Sequence, residues 1–244
     1  MHQGTYVVTG AAGALGEAVA EALAEARVSL VLADADAAAV AASSKRLSAA
    51  GVDARAFPCD VTDEDSMRSL AEAATERGPV RGLVTLAGIY QHGPIDTVSG
   101  TDWDRVLDVN LKGTFLACQA LMPALQRSGG ASIVTISSLA GRTKSLVSAV
   151  NYGAAKGGVI GFTMLLAAQV AASAVRVNCV APGHIATPMF HSIPQAARDE
   201  IVNGIPMGRV AEPREVADAI VYLLSKRSSF ITGQTLNVNG GVYM

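Results

Sequence analysis

The sequence predicts an α/β fold: a parallel sheet covered by helices on both faces. Three observations carry this. Apolar, β-branched runs alternate with amphipathic helical stretches along the whole chain. Glycines at 10, 13 and 16 punctuate the passage from the first strand pattern into the first helix pattern. Strand patterns recur after helix patterns with no hairpin signal between them, which implies right-handed βαβ crossovers.

In chain order, the strand candidates are 5–9 "TYVVT", 28–32 "VSLVL", 53–58 "DARAFP", 81–86 "RGLVTL", 131–136 "ASIVTI", 174–180 "AVRVNCV" and 235–238 "TLNV". Helix candidates lie at 14–26, 36–50, 63–77, 101–127, 152–173 and 213–225. The helix at 36–50 is alanine-rich but still periodic. The stretch 182–212 holds four prolines and several glycines, a long connection for a compact domain and so a candidate lid over a site, about 184–212. No linker, repeat or low-complexity tract divides the chain, so residues 1–244 read as one domain.

Composition narrows the function. Half the residues are hydrophobic and only 5% aromatic, so the core must be aliphatic. The net charge of −2, with no basic block, argues against nucleic-acid binding. Cys59, Cys118 and Cys179 are isolated and odd in number, as expected of reduced, mostly buried thiols in a cytoplasmic protein. The four histidines (His2, His92, His184, His191) lack metal-ligand spacing, so no metal site is expected. The start of the chain enters a strand pattern at once, without a signal-like segment. Gly157–Val175 is nineteen uncharged residues, between Lys156 and Arg176. It reads as a helix buried inside the globule or between subunits rather than as a membrane span.

The motif "VTGAAGALGEAVAEAL" places Gly10, Gly13, Leu15 and Gly16 between a strand and a helix. Glycines permit a tight turn and close backbone approach to a pyrophosphate, and the helix N-terminus offers free N–H groups. Asp34 closes the second strand eighteen residues after Gly16, where an acid hydrogen-bonds the adenosine ribose. With Ala33 and Ala35 beside it, no cation offsets its repulsion of a 2′-phosphate, so NAD is expected over NADP. Asp36 is the better placed of the two to cap the following helix, which leaves Asp34 free.

Taken together, "TGAAGALG" (9–16), "CDVTD" (59–63), "LAGI" (86–89), "DVNLKG" (108–113), "IVTISSLAG" (133–141), "YGAAK" (152–156), "RVNCVAPGHIATPM" (176–189) and "ITGQTLNVNGG" (231–241) make the chain resemble the short-chain dehydrogenase/reductase family, in its compact single-domain, 3-oxoacyl reductase-like branch. The resemblance spans nearly all of 5–241. It implies a Rossmann-type, doubly wound, seven-stranded sheet and hydride transfer between a nicotinamide and a secondary alcohol or ketone. It also implies the set Asn110, Ser138, Tyr152 and Lys156. By the same resemblance Asp60 and Val61 meet the adenine, Ala87 and Gly88 pass the riboses, and Pro182, Gly183, Ile185 and Thr187 hold the nicotinamide. The chain departs from the family pattern in three places. Glycine stands at 13 rather than at Ala14, a spacing shared with the epimerase-like branch. Leu86 replaces the usual asparagine. Ser138 lies one residue further than usual from Tyr152, with Ser137 as the alternative.

Tyr152 and Lys156, at i and i+4, share a helix face. An ammonium and an oxidised nicotinamide nearby favour the phenolate and would lower the phenol from its usual value near 10. Tyr152 is then the general acid/base, Ser138 steadies the substrate oxygen, and Asn110 interrupts its helix and holds a water linked to Lys156. The uncharged continuation of that helix is expected to pack on its mate in a homo-oligomer, a dimer of dimers by resemblance.

The expected substrate pocket is lined by Leu139, Ala140, Arg142, Ile89–His92, Met189, Phe190 and Ile193. Arg142 and Lys144 read as solvated loop charges that could alternatively grip an acidic substrate. A 3-oxoacyl thioester reductase, usually NADPH-dependent in the family, is the alternative activity. A catalytically silent NAD(H) sensor is the alternative of another class. Asp34→Ala is expected to move coenzyme preference from NADH toward NADPH, read as the ratio of kcat/KM values; an unchanged ratio would remove Asp34 from coenzyme selection.

Overall fold

The computed structural model describes residues 1–244 apart from Leu146, Ser192 and the side chain of Met189; the expectation that Met189 lines the pocket therefore lies outside the described residues. Seven strands form one parallel sheet: β1 Thr5–Thr9, β2 Ser29–Asp34, β3 Ala54–Pro58, β4 Val80–Thr85, β5 Ala131–Ile136, β6 Val175–Pro182 and β7 Thr235–Val238. Their order is β3-β2-β1-β4-β5-β6-β7, doubly wound as expected. β1 lies at the centre with Val7 opposite both Val31 and Leu83, and its pairing with β4 shifts register between Thr5 and Tyr6.

Alternation along the strands sorts side chains between two cores. Tyr6, Val8, Leu30, Leu32, Val134 and Val180 face α1 (Ala14–Ala24), α2 (Ala37–Ala49) and α9 (Pro213–Leu224), where Val19, Leu23, Val40, Ile220 and Leu223 meet them. Val7, Val31, Leu83, Ile133 and Val177 face α3 (Glu64–Thr75), α5 (Gly113–Arg127) and α6 (Val150–Val170), through Met67, Leu70, Leu121, Leu125 and Ala167. Burial on both faces explains why the central strands read as continuous apolar runs. The three cysteines are free and buried.

Two elements differ from expectation. The single helix at 101–127 is three segments: α4 (Gly100–Leu107), a π-helical stretch Asp108–Lys112, and α5. The wider π turn centres on buried Asn110, whose side chain takes over the Val106 carbonyl that the α-helical ladder would use. The connection 182–212 also has regular structure, α7 (Pro188–His191) and α8 (Gln195–Asn203). No residue of α8 is buried, so it rests on the body without joining either core.

The apolar helix is α6. With its 3₁₀ extension, Val150–Ser173 is long and apolar enough to cross a membrane by length and composition. It is also the helix that packs on β6 and carries Asn151 and Lys156 buried in its first two turns.

A close approach at Gly82 ties β4 to β1: an added Cβ would stand 2.2 Å from the Tyr6 ring, which is fully buried and donates from its hydroxyl to the His2 carbonyl at 3.0 Å. Gly82→Ala is expected to destabilise the fold by about 1–3 kcal/mol, read as a lower midpoint in urea unfolding.

Candidate active site

The functional side chains gather at the C-terminal ends of the strands, where parallel α/β sheets leave their loops free to make a cleft. The start of α6 is stitched to the loop after β4. His92 pairs with Ser148 in an isolated antiparallel bridge, and the Ala149 N–H donates to the Gln91 carbonyl at 3.0 Å. Asn151, fully buried, accepts the Tyr152 N–H at 2.8 Å. It also donates to Gln91 Oε1 at 2.7 Å and to the Asp102 carbonyl at 3.2 Å. The Tyr90 ring meets the Tyr152 ring edge-on, 4.9 Å between centroids at 76°, with its hydroxyl 3.4 Å from Ser148 Oγ. Sequence reasoning missed Asn151 and gave Tyr90 and Gln91 only as pocket lining. The available signal was an amide at the head of an otherwise apolar helix.

Tyr152 and Lys156 stand one turn apart, with Lys156 Nζ 5.8 Å from the phenol ring centroid. Lys156 is 3% exposed, and its Nζ donates to the Ile136 carbonyl at 3.2 Å. Burial pulls its ammonium down to about 8, with Cys179 opposing slightly. The expectation of a lowered Tyr152 does not hold for the protein alone. Burial pushes the phenol above its ordinary value, the hydrogen bond with the Ser138 hydroxyl pulls it back, and Tyr90 adds to the rise. Desolvation of the phenolate is the largest of these effects and decides the direction.

The two serines point to different partners. Ser137 is buried and donates to the Lys156 carbonyl at 2.7 Å, so its hydroxyl is spent on the backbone of α6. Ser138, in extended conformation, caps the 3₁₀ turn Leu139–Gly141 by accepting the Ala140 N–H at 3.2 Å and is the serine that acts on the Tyr152 phenol, lowering it. Asn110 is fully buried; its Nδ2 donates to the Ile89 and Val106 carbonyls, both at 2.9 Å, while its Oδ1 has no partner. A Cβ built on Gly88 would come 2.7 Å from that oxygen and 3.5 Å from Lys156 Nζ. Gly88, Asn110 and Lys156 thus share one small space with an unsatisfied acceptor and an ammonium that has spare donors.

The glycine turn is built for a close neighbour. Gly10 has φ +69°, and a Cβ there would stand 2.4 Å from the Ala87 nitrogen. A Cβ on Gly16 would stand 2.3 Å from the Gly10 carbonyl oxygen, so α1 approaches the turn only through a glycine. Gly13, exposed, is the N-cap and brings no side-chain acceptor to the first-turn N–H groups of α1, which begin at Ala14 and half-buried Leu15. Asp36 caps α2 by accepting the Ala39 N–H at 2.9 Å, as expected. Asp34 is less free than expected: Oδ2 accepts the Ala12 N–H and Oδ1 the Asp36 N–H, both at 3.0 Å, so it also braces the glycine turn.

Asp60 is exposed and accepts the Thr62 N–H at 2.9 Å, and Val61 packs against Gly113. Ala87 lies two residues after the end of β4 and approaches Gly10 closely. Across the cleft, Pro182 ends β6 and Gly183 donates to the Val238 carbonyl at 2.9 Å. Ile185 bridges to Ala211, and Thr187 Oγ1 accepts the Phe190 N–H at 3.4 Å. Buried Phe190 lies 6.2 Å from the His184 ring, and Ile193 is half-buried. Lys144 is exposed, as read. Arg142 is not a solvated loop charge: it is half-buried, with its guanidinium 5.1 Å from the Tyr243 ring centroid. All four members of the Asn–Ser–Tyr–Lys set are on one cleft with the glycine turn. These residues fit a dinucleotide, on the observations of the uncapped α1 N-terminus, the glycine cradle against Ala87 and the orphaned Asn110 oxygen.

Comparison with known proteins agrees with this architecture. Residues 10–243 match a family profile described as enoyl-(acyl carrier protein) reductase. The chain is 39% identical to a human (3R)-3-hydroxyacyl-CoA dehydrogenase, covering 98% of this chain and 95% of that one. It is 34% identical to a Thermotoga maritima 3-oxoacyl-[acyl-carrier-protein] reductase, covering 97% and 96%. A crystal structure of a Brucella melitensis 3-oxoacyl-[acyl-carrier protein] reductase with bound NAD superposes with a TM-score of 0.92 at 37% identity, covering 100% of this chain and 92% of that chain.

The buried ammonium has a thermodynamic consequence. Its folded value, about 8, lies below the unfolded value of 10.5, so the unfolded chain binds the extra proton between them. This opposes folding by about 3 kcal/mol below pH 8 and fades as pH rises toward 10.5. Lys156→Met should therefore gain on wild type at pH 7 in denaturant unfolding, with the gain shrinking between pH 8 and 10.5; a constant difference across that range would contradict the assignment.

Proposed function

The chain belongs to the short-chain dehydrogenase/reductase family and is an oxidoreductase of secondary alcohols and ketones, and we propose that it works with NAD(H), with Tyr152 as the general acid/base. The observation that carries the reading is the joint presence of a Tyr152 phenol whose acidity the Ser138 hydroxyl raises, a buried Lys156 and an orphaned Asn110 oxygen in one space with Gly88. Members of the family bind a nicotinamide cofactor.

Gly10, Gly13, Leu15 and Gly16 hold the pyrophosphate, and Asp34 accepts from the adenosine ribose. Asp60 and Val61 border the adenine, and Ala87 and Gly88 border the riboses. Pro182, Gly183, Ile185 and Thr187 flank the nicotinamide, which when bound gives or takes the hydride. Asp34 already accepts two backbone N–H groups, which fixes its carboxylate at the mouth of the turn and supports NAD over NADP by repulsion of a 2′-phosphate. The Brucella neighbour carries NAD.

Ser138 donates to the substrate oxygen and steadies the charge that develops there. Tyr152 gives its phenolic proton to that oxygen during ketone reduction, or takes the hydroxyl proton during alcohol oxidation. The raised phenol favours the proton-carrying form, which suits reduction. Lys156, one turn away, hydrogen-bonds the nicotinamide ribose with donors not used by Ile136, and a water on Asn110 Oδ1 carries protons from Lys156 toward solvent. Relatives named for 3-hydroxyacyl-CoA and 3-oxoacyl-carrier substrates support a 3-oxoacyl thioester as one substrate class.

The outer faces of α5 and α6 support a homo-oligomer. Met164 is 53% and Leu165 67% exposed beside Phe115, and an apolar hollow of about 300 Å³ lies between Phe115, Cys118, Met122, Phe162 and Leu166. Phe230 is fully exposed and Leu236 of β7 partly so, and exposed apolar residues away from α5 and α6 support a second interface and hence a dimer of dimers. The buried free thiols suit a reducing cytoplasm. We expect no nucleic-acid partner and no membrane partner.

Turnover should be followed by nicotinamide absorbance with NAD(H) and NADP(H) across secondary alcohols, ketones, hydroxy acids and acyl thioesters. Tyr152→Phe should lower kcat by about 10²–10⁴-fold while NADH still binds. Tight NADH binding with no turnover of any substrate by the wild type would favour a silent sensor.

A further inference from the structure

Five arginines are half-buried among the described residues: Arg77, Arg81, Arg142, Arg176 and Arg198. Four of them are engaged. Arg77 pairs with Asp53, Arg81 donates to the carbonyls of Ser128 and Gly130, Arg176 donates to Ser228 Oγ and to the Ile231 and Ser225 carbonyls, and Arg198 donates to Gln195 Oε1. Arg142 alone of the five donates from its side chain to no acceptor among the described residues; its Nε is buried without a partner, as are those of Arg77, Arg81 and Arg198, whose terminal nitrogens are engaged. A guanidinium taken partly out of water without a carboxylate or carbonyl is costly, and one aromatic face returns only part of its hydration. Tyr243 supplies that face, at 5.1 Å.

The place of this cation is fixed from both sides. Arg142 follows the 3₁₀ turn that Ser138 caps, and Gly141 lies so close to α6 that a Cβ on it would stand 2.6 Å from the Lys156 carbonyl carbon. The Tyr243 carbonyl accepts from Asn239 Nδ2 at 3.0 Å, and Asn239 packs against Gly183, where an added Cβ would stand 2.9 Å from its Cα. The turn after the candidate catalytic serine and the tail seated on the Pro182–Gly183 wall therefore meet through Arg142 and Tyr243. The cation stands where these two walls join, over the Tyr243 ring, with planar donors available.

We infer that Arg142, oriented by Tyr243, is an anion subsite of the substrate cleft, accepting a carboxylate or phosphate borne by the substrate away from its reacting carbon. This rests on the oxidoreductase reading above. A guanidinium matches either anion with two parallel hydrogen bonds, which a lysine ammonium does not reproduce. The two sources of the anion differ in where the charge sits: on the substrate's own acyl end, or on the phosphates of a carrier joined through a thioester.

The test uses the full-length chain and matched pairs differing in charge. One pair is 3-hydroxybutanoate against 3-hydroxybutanamide. The other is the 3-hydroxybutanoyl thioester of coenzyme A against that of N-acetylcysteamine, which lacks the phosphates. Dissociation constants come from calorimetry, and KM from coupled turnover with NAD⁺. Wild type is expected to favour the charged member of one pair, and that pair identifies the source. Arg142→Gln should weaken the charged member by about tenfold or more and leave the neutral member within about twofold. Arg142→Lys should recover part of the loss, and Tyr243→Leu should show a smaller loss of the same sign. Equal effects on both members, or no preference for charge in the wild type, would overturn the inference. Continued turnover of the neutral members in that case would leave the oxidoreductase reading standing, whereas absence of all turnover would remove that reading as well.

Discussion

The cleft is organised around one buried ammonium. Lys156 lies inside α6 with a single carbonyl, that of Ile136 at the end of β5, within hydrogen-bond reach. Its own carbonyl is taken by Ser137, and Gly141 presses on its backbone. These contacts fix β5, the turn that carries Ser138 and the first turns of α6 relative to one another. Protein interiors tolerate an amine there only when its remaining donors face polar groups, and the unpartnered Asn110 oxygen and Gly88 are what the fold sets beside it.

That arrangement costs regular structure elsewhere. To bring Asn110 inward, the helix between α4 and α5 opens into a π turn, and the asparagine amide replaces the ladder bond at Val106. The glycine turn makes a similar exchange: Gly10 adopts a left-handed conformation against Ala87, and Asp34 holds the Ala12 N–H that the turn leaves unpaired. In both places local conformational cost is concentrated where an unsatisfied donor or acceptor faces the cleft, a pattern found where sites are prepared for a ligand.

α6 joins the candidate chemistry to an exposed apolar face in one element, which accounts for its composition. Its first two turns carry Asn151, Tyr152 and Lys156 toward the cleft, its middle packs Val159, Thr163 and Ala167 on the sheet, and its opposite side leaves Met164 and Leu165 in the open. One side of the helix packs on the sheet and the opposite side is apolar and exposed, which leaves the run after Lys156 without a charged face.

The sequence by itself determined the architecture and named the residues of the candidate site. Alternating periodicities specify the seven strands and their crossovers because β-branched runs buried on both faces cannot be read any other way. The order of motifs likewise names Asn110, Ser138, Tyr152 and Lys156. What only the tertiary structure decided is how groups distant in sequence neutralise or perturb one another. The rise of the Tyr152 phenol depends on burial and on Tyr90, sixty-two residues earlier in the chain. The assignment of Ser137 to the helix backbone depends on where α6 packs, and the bracing role of Asn151 depends on Gln91. The pairing of Arg142 with Tyr243 joins a mid-chain turn to the C-terminal tail. Desolvation and hydrogen bonding act through space, and no local pattern of residue types encodes which distant neighbour will supply them.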